Sequence, residues 1–275
     1  MERESENNDR LQRRINAKKR RRRRKTVSYT LIVLLLGVAF CSIILIFFKV
    51  KEVKVENSIS SMYTGNQIVE ASSISIGQNL FSFKKKTVSD SILKSLPYIG
   101  EVTIKRRLPN TVVLIISETT DYVSVPYRGG YLIVSMDMKI LGDTYLQHED
   151  IPAVYGVVPE KFNPGDILEA ENKESIEGLS SLLKLIGIYN WTKKVTAINV
   201  RDKLDVYMVY DDRILVRFGS IAKLDYKFEL LKETIETKLD DNFTGNINLA
   251  TPRYVYVSEG EMRFPSSFFD IGFSE

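Results

Sequence analysis

Residues 18–48 read KKRRRRRKTVSYTLIVLLLGVAFCSIILIFF. The stretch opens with eight consecutive cationic residues, Lys18 to Lys25, and its part from 29 to 48 carries no charge. About 20 apolar residues, at a rise of about 1.5 Å each, cross a bilayer core of about 30 Å. Because lysine and arginine stay on the cytoplasmic side of a membrane, the sequence predicts a basic cytoplasmic tail over 1–28, one transmembrane helix over 29–48 and an extracytoplasmic remainder.

Three other interpretations of the apolar run fit the sequence less well. A cleaved signal peptide would end in small residues, whereas residues 46–50 read IFFKV. A lipoprotein cysteine normally follows a small residue, whereas Phe40 precedes Cys41. A buried core helix would not begin at eight consecutive cations. The pattern therefore favours an uncleaved membrane anchor.

The charges are unevenly distributed along the chain. Residues 1–25 hold twelve lysines and arginines against four acidic residues, and the remainder holds 27 against 31. A mildly acidic exterior does not favour nucleic acid as the main partner, so the basic tail is expected to set topology and to contact anionic membrane lipid. Cys41 is the only cysteine, so the exterior cannot contain a disulfide and must be stabilised by packing.

The first exterior region, 50–119, predicts the element order strand, helix, helix, strand, strand. Its strands are placed at 50–56, 102–105 and 112–117. The first helix is predicted to begin at Thr64 or Asn66, and the second is predicted to be capped at Thr87 and stopped by Pro97. A turn at Pro109-Asn110 joins the last two strands. This region is therefore expected to form one small domain.

The second exterior region, 120–260, alternates short strands and turns with two amphipathic helices. The helices are predicted over 171–189 and 224–239. The predicted strands lie at 123–125, 130–135, 139–141, 194–200, 205–210, 213–218, 245–249 and 253–258. Residues 261–275 form a predicted C-terminal tail, since the stretch from Pro265 resembles no regular element. The fold class is thus α+β, with a transmembrane helix, a β-α-α-β-β domain and a mixed α/β domain.

Residues able to carry catalysis are few. His148 is the only histidine, it lies in a polar loop, and the usual hydrolase, zinc-protease and nucleotide-binding motifs do not occur. We expect no catalytic, cofactor-binding or metal site, although residue counts leave a Ser–Lys or paired-carboxylate mechanism open. The β-rich stretch 253–257 could instead form a sheet edge that accepts a partner strand, or an ordinary edge without a partner.

The motifs of the exterior resemble those of the DivIB/FtsQ family of bacterial division proteins, and the region 50–119 resembles a POTRA domain. Two positions depart from the family pattern: Ser58 stands in place of a glycine, and Asn248 stands where the family usually has aspartate. The resemblance rests on the segments 53–57, 77–81, 96–99, 102–111 and 116–118, and then on Gly156, Phe218-Gly219, Lys227 and Ile247-Asn248-Leu249.

The resemblance implies a non-enzymatic bitopic scaffold of the divisome at the septum, which binds small bitopic proteins of the FtsL type and the DivIC/FtsB type. In that family a C-terminal edge strand accepts the partner, which would make Tyr254, Val255, Tyr256 and Val257 contact residues here. A proline at Tyr256 is then expected to weaken partner capture. The alternatives are a membrane-anchored cell-wall enzyme and a POTRA-bearing transport component.

The strand turn at Arg107, Pro109 and Thr111 lies in the region that this family uses for septal recruitment. The alternative interpretation is an ordinary hairpin turn.

Overall fold

The computed structural model describes residues 29–40, 42–44, 46–56, 62–251 and 254–271. The predicted basic tail therefore lies outside the described residues, as does Cys41. Within the predicted anchor, residues 29–40, 42–44 and 46–47 are helical. No helix in the described part of the chain combines the length and the apolarity needed to cross a bilayer. The transmembrane helix over 29–48 stays a prediction.

After this stretch the described chain forms four helices and twelve strands. The helices are α1 (Gly65–Ala71), α2 (Lys85–Ser95), α3 (Lys173–Ile188) and α4 (Leu224–Thr237). The strands are β1 (Glu52–Glu56), β2 (Ile99–Arg107), β3 (Thr111–Glu118), β4 (Tyr122–Tyr127), β5 (Gly130–Ser135), β6 (Ile140–Thr144), β7 (Ala153–Tyr155), β8 (Val195–Asn199), β9 (Val206–Tyr210), β10 (Ile214–Gly219), β11 (Gly245–Asn248) and β12 (Tyr256–Glu259). The order predicted for 50–119 is confirmed.

The chain divides into two compact units. The smaller unit contains the described residues up to Lys54, together with Ile74–Lys85 and Ile104–Leu114, and the larger unit contains the rest. Strands β1, β3 and β2 form, in that order, a three-stranded sheet. The other nine form a mixed sheet of order β12-β11-β10-β9-β8-β7-β4-β5-β6, in which β10–β11, β4–β7 and β7–β8 are parallel pairs.

The two predicted helix starts in the first domain have different outcomes. Thr64 is the N-cap of α1, since its side chain accepts from the Gln67 amide and the Gln67 side chain accepts from the Thr64 amide at 2.8 Å. The alternative start at Asn66 is wrong. The predicted cap at Thr87 is also wrong, because α2 begins two residues earlier, at Lys85. Lysine favours helix about as strongly as any residue except alanine, so the helix extends upstream of the threonine.

The nine-stranded sheet buries one face beneath α3 and α4. In β9, Val206, Met208 and Tyr210 point into this core, while Tyr207 and Val209 point to the opposite face, which we call the outer face. Aromatic rings dominate the helix side: Phe218 and Phe228 stack with centroids 5.0 Å apart, and Trp191 stacks on Phe228 at 5.7 Å. Packing of this kind is expected for a domain without disulfides.

Lys227 of α4, one of the residues on which the family resemblance rests, is buried in this region. Its ammonium donates to the carbonyl oxygens of Phe218 at 2.8 Å and Ser220 at 2.6 Å. Burial lowers the pKa of Lys227, and the two carbonyl dipoles stabilise its charged form. The lysine thus satisfies the acceptors where the chain leaves β10 at Gly219, whose φ is +64°.

We expect Lys227→Met to lower the free energy of unfolding by about 1–3 kcal/mol, because a buried and a half-buried carbonyl group lose their donor. Methionine preserves most of the side-chain length, so the effect reports the lost hydrogen bonds. Urea denaturation of the full chain measures it. Lys184→Met, at an exposed position of α3, is the control and should change stability by less than about 0.5 kcal/mol. Equal stability of the two variants would mean that the hydrogen bonds from Lys227 to the Phe218 and Ser220 carbonyls do not stabilise the fold.

Candidate functional site

The last strand, β12, is the outermost strand of the nine-stranded sheet. It pairs antiparallel with β11, and in the described part of the chain no strand pairs with its other side. All four of its residues are exposed. The predicted strand at 253–258 needs correction, because β12 begins only at Tyr256. Since β11 offers four residues for pairing, Tyr254 and Val255 precede the strand despite their β propensity, and Arg253 lies outside the described residues.

The hydrogen-bonding phase of β12 decides which groups face the open edge. The Gly260 amide donates to the Thr244 carbonyl at 3.0 Å, and the register pairs Gly245 with Glu259. Hydrogen-bonded and non-hydrogen-bonded pairs alternate along an antiparallel ladder. Tyr256 and Ser258 therefore direct their N–H and C=O groups toward β11, whereas the neighbouring Val257 and Glu259 direct theirs outward.

The side chains of the predicted contact residues gather at this edge. Tyr254 is 62% exposed and Tyr256 is 57% exposed, and their ring centroids are 6.2 Å apart. Val255 is half-buried against the helix-side core. Val257 pairs with the buried Ile247, so its side chain lies on the helix side, and Tyr256 lies on the outer face. The structure thus brings the four residues together in one short segment.

A groove of about 440 Å³ lies on the outer face beside β12, between Tyr256, Asn248, Arg217 and Tyr207. Asp205 organises one wall, since it accepts from the Tyr207 hydroxyl at 2.7 Å and from Arg217 Nε at 2.6 Å. Burial, followed by this bond to Asp205, raises the pKa of Tyr207 to about 12. The tyrosine stays neutral at physiological pH, and the wall offers fixed polar and aromatic contacts.

The chain beyond β12 packs against the outer face, and we call residues 262–271 the C-terminal strap. Asn246 anchors its start: the side chain donates to the Glu261 carbonyl at 2.9 Å and accepts from the Arg263 amide at 2.8 Å. Asn199 donates to the Phe268 carbonyl at 2.6 Å. Phe268 is fully buried against Val209 and Leu215. The described part of the predicted tail is therefore a layer of the fold.

Sequence reasoning missed this packing, although a signal existed. Three phenylalanines, Phe264, Phe268 and Phe269, occur within six residues, and their ring centroids lie 4.9 to 5.1 Å apart. Such a cluster of large apolar residues is typical of a segment that is buried. The outward-facing Val209 and Leu215 of β9 and β10 are the complementary signal.

The opposite edge of the sheet, β6, is covered at its start by another segment of the chain. The Ile140 amide donates to the Asp166 carbonyl at 2.8 Å, and the Gly165 amide donates to the Ile140 carbonyl at 2.8 Å. A further bridge joins Lys139 to Ile167. The two edges of the sheet thus differ: another segment of the chain bonds to the start of the β6 edge, whereas no described strand pairs with the outer side of β12.

The second predicted site, the turn between β2 and β3, belongs to the smaller unit. Arg107 and Pro109 are exposed, and Thr111 is half-buried. Next to them, Arg106 donates to the Phe83 carbonyl at 2.7 Å and lies 4.9 Å from the centroid of the Phe83 ring. This contact holds the end of β2 and leaves the turn accessible.

His148 lies exposed in the loop after β6. Within the described residues, no group of His, Cys, Asp and Glu side chains is arranged to hold a metal ion.

Comparisons with known proteins agree with the fold. The family described as "POTRA domain, FtsQ-type" matches residues 48–119. The chain is 24% identical over 211 residues to "Cell division protein DivIB" of Clostridium tetani, covering 73% of this chain and 78% of the relative. It is 21% identical over 210 residues to the protein of the same name from Clostridium botulinum (strain Hall), covering 73% and 80%. Over 95 residues it is 30% identical to the Clostridium acetobutylicum protein, covering 34% and 37%.

The POTRA match coincides with the β-α-α-β-β order of β1 to β3. The longer similarities cover 73% of the chain, so they extend beyond the POTRA domain into at least part of the nine-stranded sheet. The chain therefore carries a POTRA domain of the FtsQ type, and over most of its length it is similar to bacterial proteins named "Cell division protein DivIB".

Proposed function

We propose that this cell division protein is a non-enzymatic, bitopic membrane scaffold of the divisome. It binds and stabilises small bitopic partners of the FtsL and DivIC/FtsB type at the septum, and it accepts a partner segment as an added strand beside β12. In this proposal the chain has five parts: a cytoplasmic tail at 1–28, the anchor at 29–48, the POTRA domain at 50–119, the second domain at 120–260 and the C-terminal tail at 261–275.

The observation that carries the proposal is the difference between the two edges of the nine-stranded sheet. An exposed edge invites unwanted pairing, and proteins usually cover, charge or bend their edges. This chain covers the start of the β6 edge, at Ile140, with residues 165–168 and leaves the N–H and C=O groups of Val257 and Glu259 directed outward. The unpaired edge at β12 is therefore suited to accept an added strand.

A binding role also explains the groove beside the edge. Several of its polar groups are engaged in structural bonds: Asp205 with Tyr207 and Arg217, and Asn246 with the strap. Added strands gain affinity from main-chain bonds, each contributing about 0.5–1.5 kcal/mol, and gain specificity from pockets for alternate side chains. The Tyr256 side of the edge opens into such a pocket.

The septal part of the proposal is tested by the location of a fluorescent fusion of the full chain in dividing cells. We expect a ring at mid-cell, and uniform membrane staining would contradict the proposal. Arg107→Glu should reduce mid-cell enrichment by half or more, because it reverses a charge on the exposed turn. Lys105→Glu is the matched control, since it makes the same charge change at an exposed position of β2. Equal enrichment of both variants would remove the turn from the recruitment site.

A further inference from the structure

The end of the apolar helical stretch is joined directly to the folded part of the smaller unit. Asn79 donates from its side chain to the Ile44 carbonyl at 3.0 Å, and the Leu80 amide donates to the Phe48 carbonyl at 2.7 Å. Two further main-chain bonds connect Val50 with Gln78 and Gly77, at 2.8 and 2.7 Å. The segment Ile74–Lys85 is thus held against the last turn of the apolar stretch, with no flexible linker between them.

Large apolar side chains are exposed at this junction. Ile76 is 65% exposed, Phe47 is 63% exposed and Phe81 is 50% exposed. The rings of Phe48 and Phe81 meet edge to face with centroids 5.5 Å apart. Leu80, next to Phe81, is fully buried and fixes the segment. Apolar side chains concentrated in this way mark a surface that contacts another apolar phase.

The same unit is strongly basic. Its described residues include eight lysines and arginines against one carboxylate, Glu52, although the chain after residue 25 is acidic overall. Lys49, Lys84 and Lys85 are exposed, and among the described residues none of the three forms an ion pair with a carboxylate. The cations at the junction are therefore available to an external anion.

We propose that Phe47–Lys49 and Ile74–Lys85, which we call the collar, dock onto anionic phospholipid headgroups. Phe47, Phe81 and Ile76 enter the boundary between headgroups and acyl chains, and Lys49, Lys84 and Lys85 pair with lipid phosphates. The inference rests on the membrane anchor of the proposed function and adds a second, peripheral contact with the same leaflet.

Two features of the collar favour a lipid surface over a soluble polyanion as its ligand. The collar is continuous with the apolar stretch, so the bilayer that receives the stretch lies next to the collar. The collar also exposes aromatic and aliphatic side chains beside its lysines, which is the composition of interfacial membrane-binding segments. A basic residue near an anionic leaflet gains affinity within a Debye length of the surface, and direct attachment keeps the collar within that distance.

The test measures the depth of a label on the collar of the full chain. Cys41→Ser removes the native thiol, and Ser75→Cys places a fluorophore at an exposed position beside Ile76. The labelled chain is reconstituted into phosphatidylcholine vesicles, with or without phosphatidylglycerol, that contain nitroxide-bearing lipids. We expect quenching at Ser75 to be stronger with phosphatidylglycerol than without it, and the difference to fall when salt rises from about 0.1 M to about 1 M.

Charge reversal supplies the matched comparison. The double variant Lys84→Glu with Lys85→Glu should reduce quenching to the level seen in phosphatidylcholine alone. Lys173→Glu with Lys193→Glu makes the same charge change at exposed positions of the larger unit and should leave quenching unchanged.

Failure of the collar can be distinguished from failure of the anchor. If the chain floats with the vesicles and the Ser75 label stays unquenched, the collar does not dock and the anchor stands. If quenching is equal in both lipids and insensitive to the double variant, the anionic headgroups are not the ligand and the inference is overturned. If the chain does not float, the anchor of the proposed function is wrong and the inference fails with it.

Discussion

Val257→Pro is expected to reduce capture of the small bitopic partners by about tenfold or more, a loss of about 1.4 kcal/mol, while the chain stays folded. The Val257 amide points to the open side of β12, so proline removes a donor that only an added strand would use. Proline is tolerated on edge strands where its missing N–H faces away from the sheet. Pull-down of FtsL-type and DivIC/FtsB-type partners with the full chain measures the effect.

Two controls separate the main chain from the side chain and from folding. Val257→Ala keeps the N–H and should retain most of the binding. Tyr256→Pro removes the donor that pairs with β11, so it should lower thermal stability together with binding and is a poorer test of the edge. Unchanged capture by a stably folded Val257→Pro variant would falsify strand addition at β12.

Phe268→Ala is expected to lower the free energy of unfolding by about 3–5 kcal/mol, the usual cost of deleting a fully buried phenylalanine. The ring fills the space between the C-terminal strap and the outer face of the sheet, where it contacts Val209 and Leu215. Its loss leaves a cavity that the sheet cannot close. Chemical denaturation monitored by circular dichroism measures the change.

The neighbouring Phe269→Ala is the matched control, because it deletes the same side chain from an exposed position of the strap. We expect it to cost less than half as much as the change at Phe268. Similar costs at the two positions would mean that the strap is not anchored through Phe268. Asn199, which holds the Phe268 carbonyl, should then be dispensable as well.

Much of the fold could be predicted because its elements follow simple periodic patterns. The alternation at Val53 and Val55 predicts β1, and the hairpin turn at Asp211-Asp212 has the positive φ values, 57° and 54°, that such a turn requires. Helices with a strong apolar stripe, such as α4, were located within a few residues. The sequence pattern was sufficient to predict those helices, strands and turns whose conformation depends mainly on their own residues.

The site was harder to predict, because its geometry depends on partners distant in sequence. The strand potential of Tyr254 and Val255 is real, but β11 provides pairing only for Tyr256–Glu259. Whether Tyr256 or Val257 faces outward follows from the ladder and cannot be read from alternation. Phe268 is buried only because Val209 and Leu215 lie beneath it, some 50 to 60 residues earlier in the chain.

The open edge at β12 has a consequence for the chain when it is made in excess of its partners. Two copies could pair edge to edge through the outward N–H and C=O groups of Val257 and Glu259, which are the groups that would bind a partner strand. Glu259 and Glu261 lie two residues apart at this end of the edge, so two copies that met there would bring four carboxylates into proximity, and like charges repel. This repulsion opposes self-association through the edge, and self-association should increase at high salt, where surface charges are screened.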